Sequence, residues 1–153
     1  MALPDAAYDV VISQEAWLHI PAKPKVVAEC ARVVKPGGVI AFTDITLHTS
    51  LTPEEESRMA AELQAPGVIL AERYLELLRE NQCTIRSCED LSAEWTEVLV
   101  NRLEMYRTLR NTTVEKFGEA HFEAWDRTYS FFVGLFVSEK LGGTRIVAQK
   151  VAS

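Results

Sequence analysis

Short apolar runs alternate along the chain with amphipathic stretches, a pattern that predicts strands and helices in turn. Residues 8–12 (YDVVI) form a continuous apolar run rich in β-branched residues, typical of a strand covered on both faces. Residues 39–44 and 144–151 predict two further strands. Residues 83–89 alternate as expected for a strand near a sheet edge. The chain therefore contains four predicted strands.

Helical spacing of apolar residues follows the first two strands. A first helix is predicted from Pro24 and ends at Lys35-Pro36-Gly37-Gly38, which also turns the chain into the next strand. Thr52 and Glu55, with a proline between them, form a capping box. This box predicts a helix that begins there and runs to about Gln64, and another helix follows it.

Two long helices are predicted between the third and fourth strands. The first begins at Ser92, and a break at Phe117-Gly118 separates it from the second. Leu141-Gly142-Gly143 is expected to end the second helix. Apolar aromatic residues share one stripe of that helix: Phe122, Trp125, Tyr129, Phe132 and Phe136.

The order β-α-β-α-α-β-α-α-β predicts one α/β domain over residues 1–153. It divides into a β-α-β unit (1–46), a helical segment (47–82) and a segment with a strand, two long helices and a final strand (83–153). The β-α-β unit should be a right-handed parallel crossover.

Composition and charge narrow the class of protein. With 48% apolar and 25% charged residues, the 153-residue chain is typical of a soluble globular domain. A net charge of −6 argues against a nucleic acid or an anionic membrane as the main partner. The first residues lack the features of a secretion signal, which favours a cytoplasmic protein. Cys30, Cys83 and Cys88 show no metal-ligand spacing and are predicted to be buried free thiols, and no metal site is expected.

Four segments carry a resemblance to a known family. They are Leu3-Pro4-Asp5 ahead of residues 8–20 (YDVVISQEAWLHI), then ARVVKPGGVIAFTDI, LRENQCTIRSCEDLS and LGGTRIVAQK. With these segments the chain resembles the C-terminal half of a class I S-adenosylmethionine-dependent methyltransferase. The branch it resembles is the small-molecule one that includes the sarcosine/dimethylglycine and ubiquinone-pathway methyltransferases.

The resemblance implies half of a doubly wound, Rossmann-like sheet. The family's sheet order is 3-2-1-4-5-7-6, and this chain would supply strands 4, 5, 7 and 6 in the order 4-5-7-6, with strand 7 antiparallel. The cofactor would be S-adenosylmethionine. The family's glycine-rich loop follows its first strand, and two acidic contacts follow its second and third. None of these three features is found among the 153 residues. The chain alone is therefore not expected to bind the cofactor tightly.

Site residues are assigned by the same resemblance. Ser13, Gln14 and Glu15 match the end of the family's fourth strand, which lies beside the methionine part of the cofactor; the alternative is that they merely end a strand. His19 matches a position near the active-site mouth, although a lone histidine is more often structural. Asp44 and His19 are the candidate catalytic residues. Asp44 would face the same crevice and position a substrate amine or take a proton from it, or it would cap Thr46 and the loop that follows. Substrate-lining candidates on the helices are Tyr74, Tyr106, Tyr129 and Phe132, with a core position as the alternative for each.

Three hypotheses for function follow. The chain is part of a small-molecule N- or O-methyltransferase that a second chain or further residues complete. Alternatively, it is a non-catalytic dimeric interaction or small-ligand-binding module derived from a methyltransferase, or a decayed fragment. A strand such as residues 8–12 (YDVVI), built for the middle of a sheet, would become an exposed edge in the half-domain. We therefore expect a homodimer, or a missing N-terminal half, to dock on this strand.

Overall fold

The computed structural model describes residues 3–152, which form a four-stranded sheet with helices. The strands are β1 (Tyr8–Gln14), β2 (Val34–Leu47), β3 (Cys83–Asp90) and β4 (Leu141–Lys150). The helices are α1 (Lys23–Val33), α2 (Pro53–Leu63), α3 (Ala71–Glu80), α4 (Ser92–Thr108), α5 (Arg110–Phe117) and α6 (Glu119–Val137). A 3-10 helix, Trp17–His19, lies between β1 and α1.

The strand order is β1-β2-β4-β3, which confirms the predicted order 4-5-7-6. β1 and β2 are parallel, whereas β4 runs antiparallel to both of its neighbours, as predicted for the last strand. β1, β2 and β3 consequently end at the same edge of the sheet. Polar residues that follow these strands are brought together at this edge.

The Lys35-Pro36-Gly37-Gly38 segment makes the close crossover between α1 and β2. Gly37 has a φ of +80°, a conformation that glycine adopts without strain. A Cβ added at Gly38 would lie 2.7 Å from the main-chain oxygen of Asp9, so β1 can approach only a glycine here. The Lys35 ammonium also binds the Asp9 carboxylate at 2.8 Å. Two of the sequence segments that carry the family resemblance are therefore in direct contact.

A second link joins the segment before β1 to the end of α1. The guanidinium of Arg32 donates to the main-chain oxygen of Leu3 at 2.9 Å and forms an ion pair with Asp5. Main-chain amides of Ala6 and Ala7 donate to the last carbonyls of α1. The segment before β1 and the end of α1 are thus held together, although they lie more than 20 residues apart in sequence.

Two hydrophobic clusters hold the sheet. The first lies between one face of the sheet and helices α1 and α3, and includes Val27, Ile40, Phe42, Leu78 and Ile146. The second lies around the carboxyl end of β2, where α2, α4 and α6 meet; it includes Ile45, Met59, Phe136 and Leu141. Trp17 belongs to the first cluster and its neighbour Leu18 to the second. None of the helices among residues 3–152 is long and apolar enough to cross a bilayer.

The capping box before α2 is confirmed. Thr52 Oγ1 accepts from the Glu55 amide at 3.2 Å, and the Glu55 carboxylate accepts from the Thr52 amide at 2.8 Å. The helix ends at Gln64, which has a positive φ of 53°. Local sequence signals were sufficient here because every contact that defines this helix start lies within four residues.

The last helices differ from the prediction in two respects. The first long helix is divided at Leu109 into α4 and α5, so that three helices rather than two lie between β3 and β4. The pair Gly142-Gly143 does not end a helix, because α6 stops at Val137 and both glycines belong to β4. Their absent side chains admit neighbours. A Cβ at Gly143 would lie 2.4 Å from the indole ring of Trp95, and one at Gly142 would lie 2.1 Å from Ser92 Oγ.

Gly143→Ala is expected to destabilise the chain by about 1–3 kcal/mol, because the added methyl group overlaps the Trp95 ring. Gly134→Ala is the matched control. It lies inside α6 with open space at its Cβ, so alanine there should stabilise by about 0.5–1 kcal/mol. Urea denaturation of both variants measures the difference. Equal stability of the two would contradict the packing of Trp95 on β4.

The prediction of buried thiols is correct for Cys83 and wrong for Cys88, which is exposed; Cys30 is half-buried. All three thiols are free. Burial raises the pKa of the Cys30 thiol to about 11, so this thiol is not a reactive nucleophile at neutral pH. No cluster of metal-binding side chains occurs in the part of the chain that the structure describes.

The apolar run of β1 predicted a strand covered on both faces, and this prediction is wrong. Val10 and Ile12 are 50% and 77% exposed, on the face of the sheet opposite α1 and α3. β1 is also the edge strand and pairs only with β2. The apolar run therefore belongs to a strand with one open face and one open edge.

Candidate functional site

A cavity of about 340 Å³ lies where the carboxyl ends of β1 and β2 meet helices α4 and α6. Its apolar walls are Ile45, Trp95, Val98, Leu99, Phe132 and Phe136. Three polar side chains complete the lining: Glu15 after β1, Arg102 on α4 and Tyr129 on α6. An apolar cavity with a few convergent polar groups, at the carboxyl ends of parallel strands, is the usual form of a small-molecule site.

The wall from α6 follows directly from sequence spacing. Its aromatic residues recur at intervals of three and four, so successive rings contact one another along one face of the helix. Trp125 stacks on Tyr129 with ring centroids 5.1 Å apart, and Phe132 meets Phe136 edge to face at 5.2 Å. The predicted stripe is thus present, and two of its predicted substrate-lining members, Tyr129 and Phe132, face the cavity.

The polar end of β1 borders this cavity at Glu15. Glu15 has a φ of +47°, which is unusual for a residue with a side chain and often marks a functional position. Its amide donates to the Thr43 carbonyl at 2.9 Å, and its carboxylate accepts from Thr43 Oγ1 at 3.4 Å. Ser13 and Gln14 still belong to β1 and line a shallow groove on the open face of the sheet.

Asp44 does not reach a solvent-accessible crevice. It is 1% exposed, and its two carboxylate oxygens accept from the Leu18 amide at 3.1 Å and from the Tyr74 hydroxyl at 2.5 Å. Burial raises the pKa of Asp44, while these hydrogen bonds and the charge of Lys23 oppose the rise. Its side chain caps the 3-10 helix and not Thr46, whose hydroxyl pairs with Thr144 at 2.8 Å.

Tyr74 is corrected from substrate lining to core. It is 0% exposed, and its ring packs against Trp17 and Phe42 in the cluster beneath α1 and α3. Burial and the neighbouring carboxylate of Asp44 raise the pKa of its hydroxyl far above the ordinary value. Helical spacing predicted a buried face for α3 but could not indicate which side of the sheet that face would meet.

His19 and Tyr106 lie outside the cavity lining. His19 is exposed, and its Nδ1 lies 2.8 Å from the main-chain oxygen of Gln64, which links the 3-10 helix to the end of α2. Tyr106 is 41% exposed and meets Tyr129 edge to face, with centroids 6.5 Å apart. The catalytic role of His19 remains a prediction, whereas Tyr106 supports the ring of Tyr129 from behind.

Sequence reasoning missed the buried Lys23. It is 2% exposed, and its ammonium donates to the main-chain oxygens of Trp17 at 2.7 Å and Ile20 at 2.6 Å. Burial lowers the pKa of Lys23, and the charge of Asp44 opposes this effect. Asp44 therefore binds a main-chain amide of the 3-10 helix, while Lys23 binds main-chain carbonyls of the same segment. No sequence signal marks Lys23, because lysine before a proline is ordinary at a helix start.

A second cavity, of about 460 Å³, lies beyond the carboxyl end of β2. His48, Asp90 and Ser92 meet there: the Ser92 hydroxyl donates to Asp90, and His48 Nε2 lies 3.2 Å from Ser92 Oγ. Asp90 also accepts from the Ser92 amide at 2.9 Å, so this network begins α4. Ser92 Oγ further accepts from the Gly143 amide at 3.2 Å. These contacts explain the cluster as a helix cap that also holds the cavity wall of α4.

The described residues fit only one side of an S-adenosylmethionine site. Glu15 borders the 340 Å³ cavity, whereas Ser13 and Gln14 line the neighbouring groove. The paired glycines, by contrast, lie inside β2 and β4 and provide no open loop for the amino-acid end of the cofactor.

Comparison with known proteins agrees with this geometry. Residues 1–42 match the family described as "Methyltransferase domain". The 27-O-demethylrifamycin SV methyltransferase of Amycolatopsis mediterranei is 29% identical over 150 residues, which cover 96% of this chain and 54% of that protein. The dimethylglycine N-methyltransferase of Parasynechococcus marenigrum is 52% identical over 40 residues, covering 26% of this chain and 14% of that protein.

The chain has the fold of the class I methyltransferases. Among solved structures, phosphoethanolamine N-methyltransferase 2 of Haemonchus contortus, in complex with S-adenosyl-L-methionine, superimposes with a TM-score of 0.84 at 18% identity. The superposition covers 98% of this chain and 35% of that protein. The chain spans about half the length of the rifamycin methyltransferase. The resemblance read from the sequence motifs and the predicted fold are thereby confirmed.

Proposed function

We propose that this chain supplies the acceptor-substrate side of a small-molecule N- or O-methyltransferase that uses S-adenosylmethionine. The observation that carries the proposal is the 340 Å³ cavity, which lies between α4, α6 and the carboxyl ends of β1 and β2, with Glu15 at its border. An acceptor in this cavity would lie beside Glu15, which follows Ser13 and Gln14 directly in sequence; these three residues are proposed to contact the cofactor.

The chemistry of this reaction is an in-line displacement, for which the cofactor supplies the methyl group. The protein contributes by excluding water and by holding the acceptor atom in line. Trp95 and Phe132 form apolar walls against which an acceptor would displace water. Asp44, Tyr74 and Lys23 act at a distance, because they fix the segment that follows Glu15 and do not touch the cavity.

We further propose that these 153 residues bind the cofactor weakly when no other chain completes the site. The seven glycines supply no spaced loop after a strand, and the proposed contacts come from β1 alone. A ligand that loses half of its contacts still loses its freedom of motion on binding, so its affinity falls steeply.

A nuclear magnetic resonance titration with S-adenosylhomocysteine tests this function. We expect amide shift changes centred on Ser13–Glu15, without saturation below about 1 mM, and a smaller response in Gln14→Ala. Gln149→Ala, a half-buried glutamine on the same sheet, is the matched control and should respond like the wild type. Shift changes that avoid β1 altogether would overturn the proposal.

One observation favours a second candidate function, a non-catalytic dimeric module. Ile12 is 77% exposed on the edge strand β1, and Val10, on the same face of that strand, is also exposed. A strand edge can pair with a second copy of itself across a two-fold axis, which would cover both its free main-chain groups and these side chains. We propose a second copy of this chain as the occupant. A protein with the N-terminal half of the fold is the alternative that the association experiment distinguishes. The cytoplasmic location remains a prediction.

A further inference from the structure

We infer that the 340 Å³ cavity selects acceptor molecules with an apolar ring system and one oxygen atom that accepts a hydrogen bond from the Tyr129 hydroxyl. This inference rests on the proposed function, since it names the class of substrate for the same cavity. Three observations carry it: an orphaned hydroxyl, the absence of an acceptor on its nearest polar neighbour, and the aromatic walls.

The Tyr129 hydroxyl is buried and finds no acceptor among residues 3–152, because Arg102, the polar side chain beside it, can donate to its oxygen but cannot accept its hydrogen. A buried hydroxyl without a partner destabilises a fold, and folded proteins leave few such groups. No other buried side-chain nitrogen or oxygen in that part of the chain is left in this state. Because Tyr129 lines the cavity, a molecule bound there can supply the missing partner.

The partner must be an acceptor. Burial raises the pKa of Tyr129 more than the nearby Arg102 lowers it, so the hydroxyl keeps its hydrogen at neutral pH. Arg102 also lines the cavity, and a guanidinium can donate hydrogen bonds but cannot accept them. Two donors therefore converge on this end of the cavity. A ketone, quinone, phenolate or carboxylate oxygen of the bound molecule fits these two donors, and Glu15 is the acceptor in the same lining.

The apolar lining of the cavity determines which kind of molecule fits beside these two donors. Trp95, Phe132 and Phe136 present rings, and Ile45, Val98 and Leu99 present aliphatic groups. The Tyr129 ring is held by stacking on Trp125, with only 18° between the ring planes. The hydroxyl is thus fixed before a ligand arrives, and flat apolar rings match the walls. A cavity of this volume suits a molecule of one or two rings.

Two probes of nearly equal shape test the inference. The first, 2-acetonaphthone, carries a carbonyl oxygen, and the second, 2-ethylnaphthalene, lacks it. Quenching of tryptophan fluorescence, with Trp95 in the cavity wall, measures the dissociation constant of each. We expect the wild type to bind 2-acetonaphthone about 5- to 10-fold more tightly, the factor that one hydrogen bond contributes.

Tyr129→Phe should reduce this preference to less than about 2-fold without loss of folding, because the variant removes only an unpartnered hydroxyl. Tyr106→Phe is the matched control, a tyrosine beside Tyr129 but outside the lining, and should keep the full preference. Equal affinity of the wild type for both probes, or an unchanged preference in Tyr129→Phe, would overturn the inference and leave the proposed cavity intact. Binding of neither probe would overturn the inference and the acceptor site together.

Discussion

Asp44→Ala is expected to destabilise the folded chain by about 2–4 kcal/mol, because two buried donors lose their acceptor. The substitution leaves the Leu18 amide and the Tyr74 hydroxyl unpaired. It also removes a negative charge that acts favourably on the buried ammonium of Lys23. The effect falls on the segment that connects the polar end of β1 to α1.

Urea denaturation at a fixed protein concentration measures this effect. Asp44→Asn keeps the size of the side chain and an acceptor oxygen, so it should cost less than Asp44→Ala. Asp9→Ala is the matched control, an exposed aspartate whose partner Lys35 lies at the surface, and should change stability by no more than about 1 kcal/mol. A loss below 1 kcal/mol in Asp44→Ala would show that Asp44 does not hold the 3-10 helix, and a catalytic role would then be the better hypothesis.

The second large effect concerns association. We expect the purified 153-residue chain to be a dimer in light scattering coupled to size-exclusion chromatography, and Ile12→Lys to convert it to a monomer. A lysine at this 77% exposed position would place a charge in the centre of the proposed contact, where charged residues are avoided. The shift in mass should be complete at micromolar concentrations.

Phe117→Lys is the matched control for this substitution. Phe117 is 65% exposed at the end of α5, so the variant removes a similar apolar side chain from a different surface and should remain dimeric. A wild-type chain that stays monomeric at every concentration would contradict self-pairing. If that monomer then bound a protein with the N-terminal half of the fold, the occupant of β1 would be that half and not a second copy.

Sequence reasoning predicted the fold well where contacts are local or motifs are specific. The capping box at Thr52 involves neighbours in sequence, and the structure shows it as predicted. Gly37 has the positive φ that a turn requires, although the structure places Gly37 and Gly38 within the first residues of β2. The antiparallel last strand followed from the family resemblance, since periodicity alone cannot give strand direction. The aromatic stripe of α6 was also predicted, because a regular spacing along a helix does not depend on the rest of the fold.

The candidate site was predicted less completely, for reasons that lie in tertiary contacts. Gly142-Gly143 suggested the end of a helix, but their role is to admit Ser92 and Trp95 to the surface of β4. Tyr74 and Tyr129 both fall on helical stripes, yet one lies in the core and the other faces the cavity. Arg102 shares a helical stripe with Trp95, Val98 and Leu99, but this spacing could not show which elements face it, because the cavity is formed by elements more than 80 residues apart in sequence.

We propose that these residues form one wall of a methyltransferase site and not a whole one. Calorimetric titration of the 153-residue chain with S-adenosylhomocysteine tests this proposal. We expect no saturable heat of binding up to about 1 mM ligand, because the proposed contacts come from β1 alone. A dissociation constant in the micromolar range would contradict it, since affinity of that order requires a complete cofactor site within this chain.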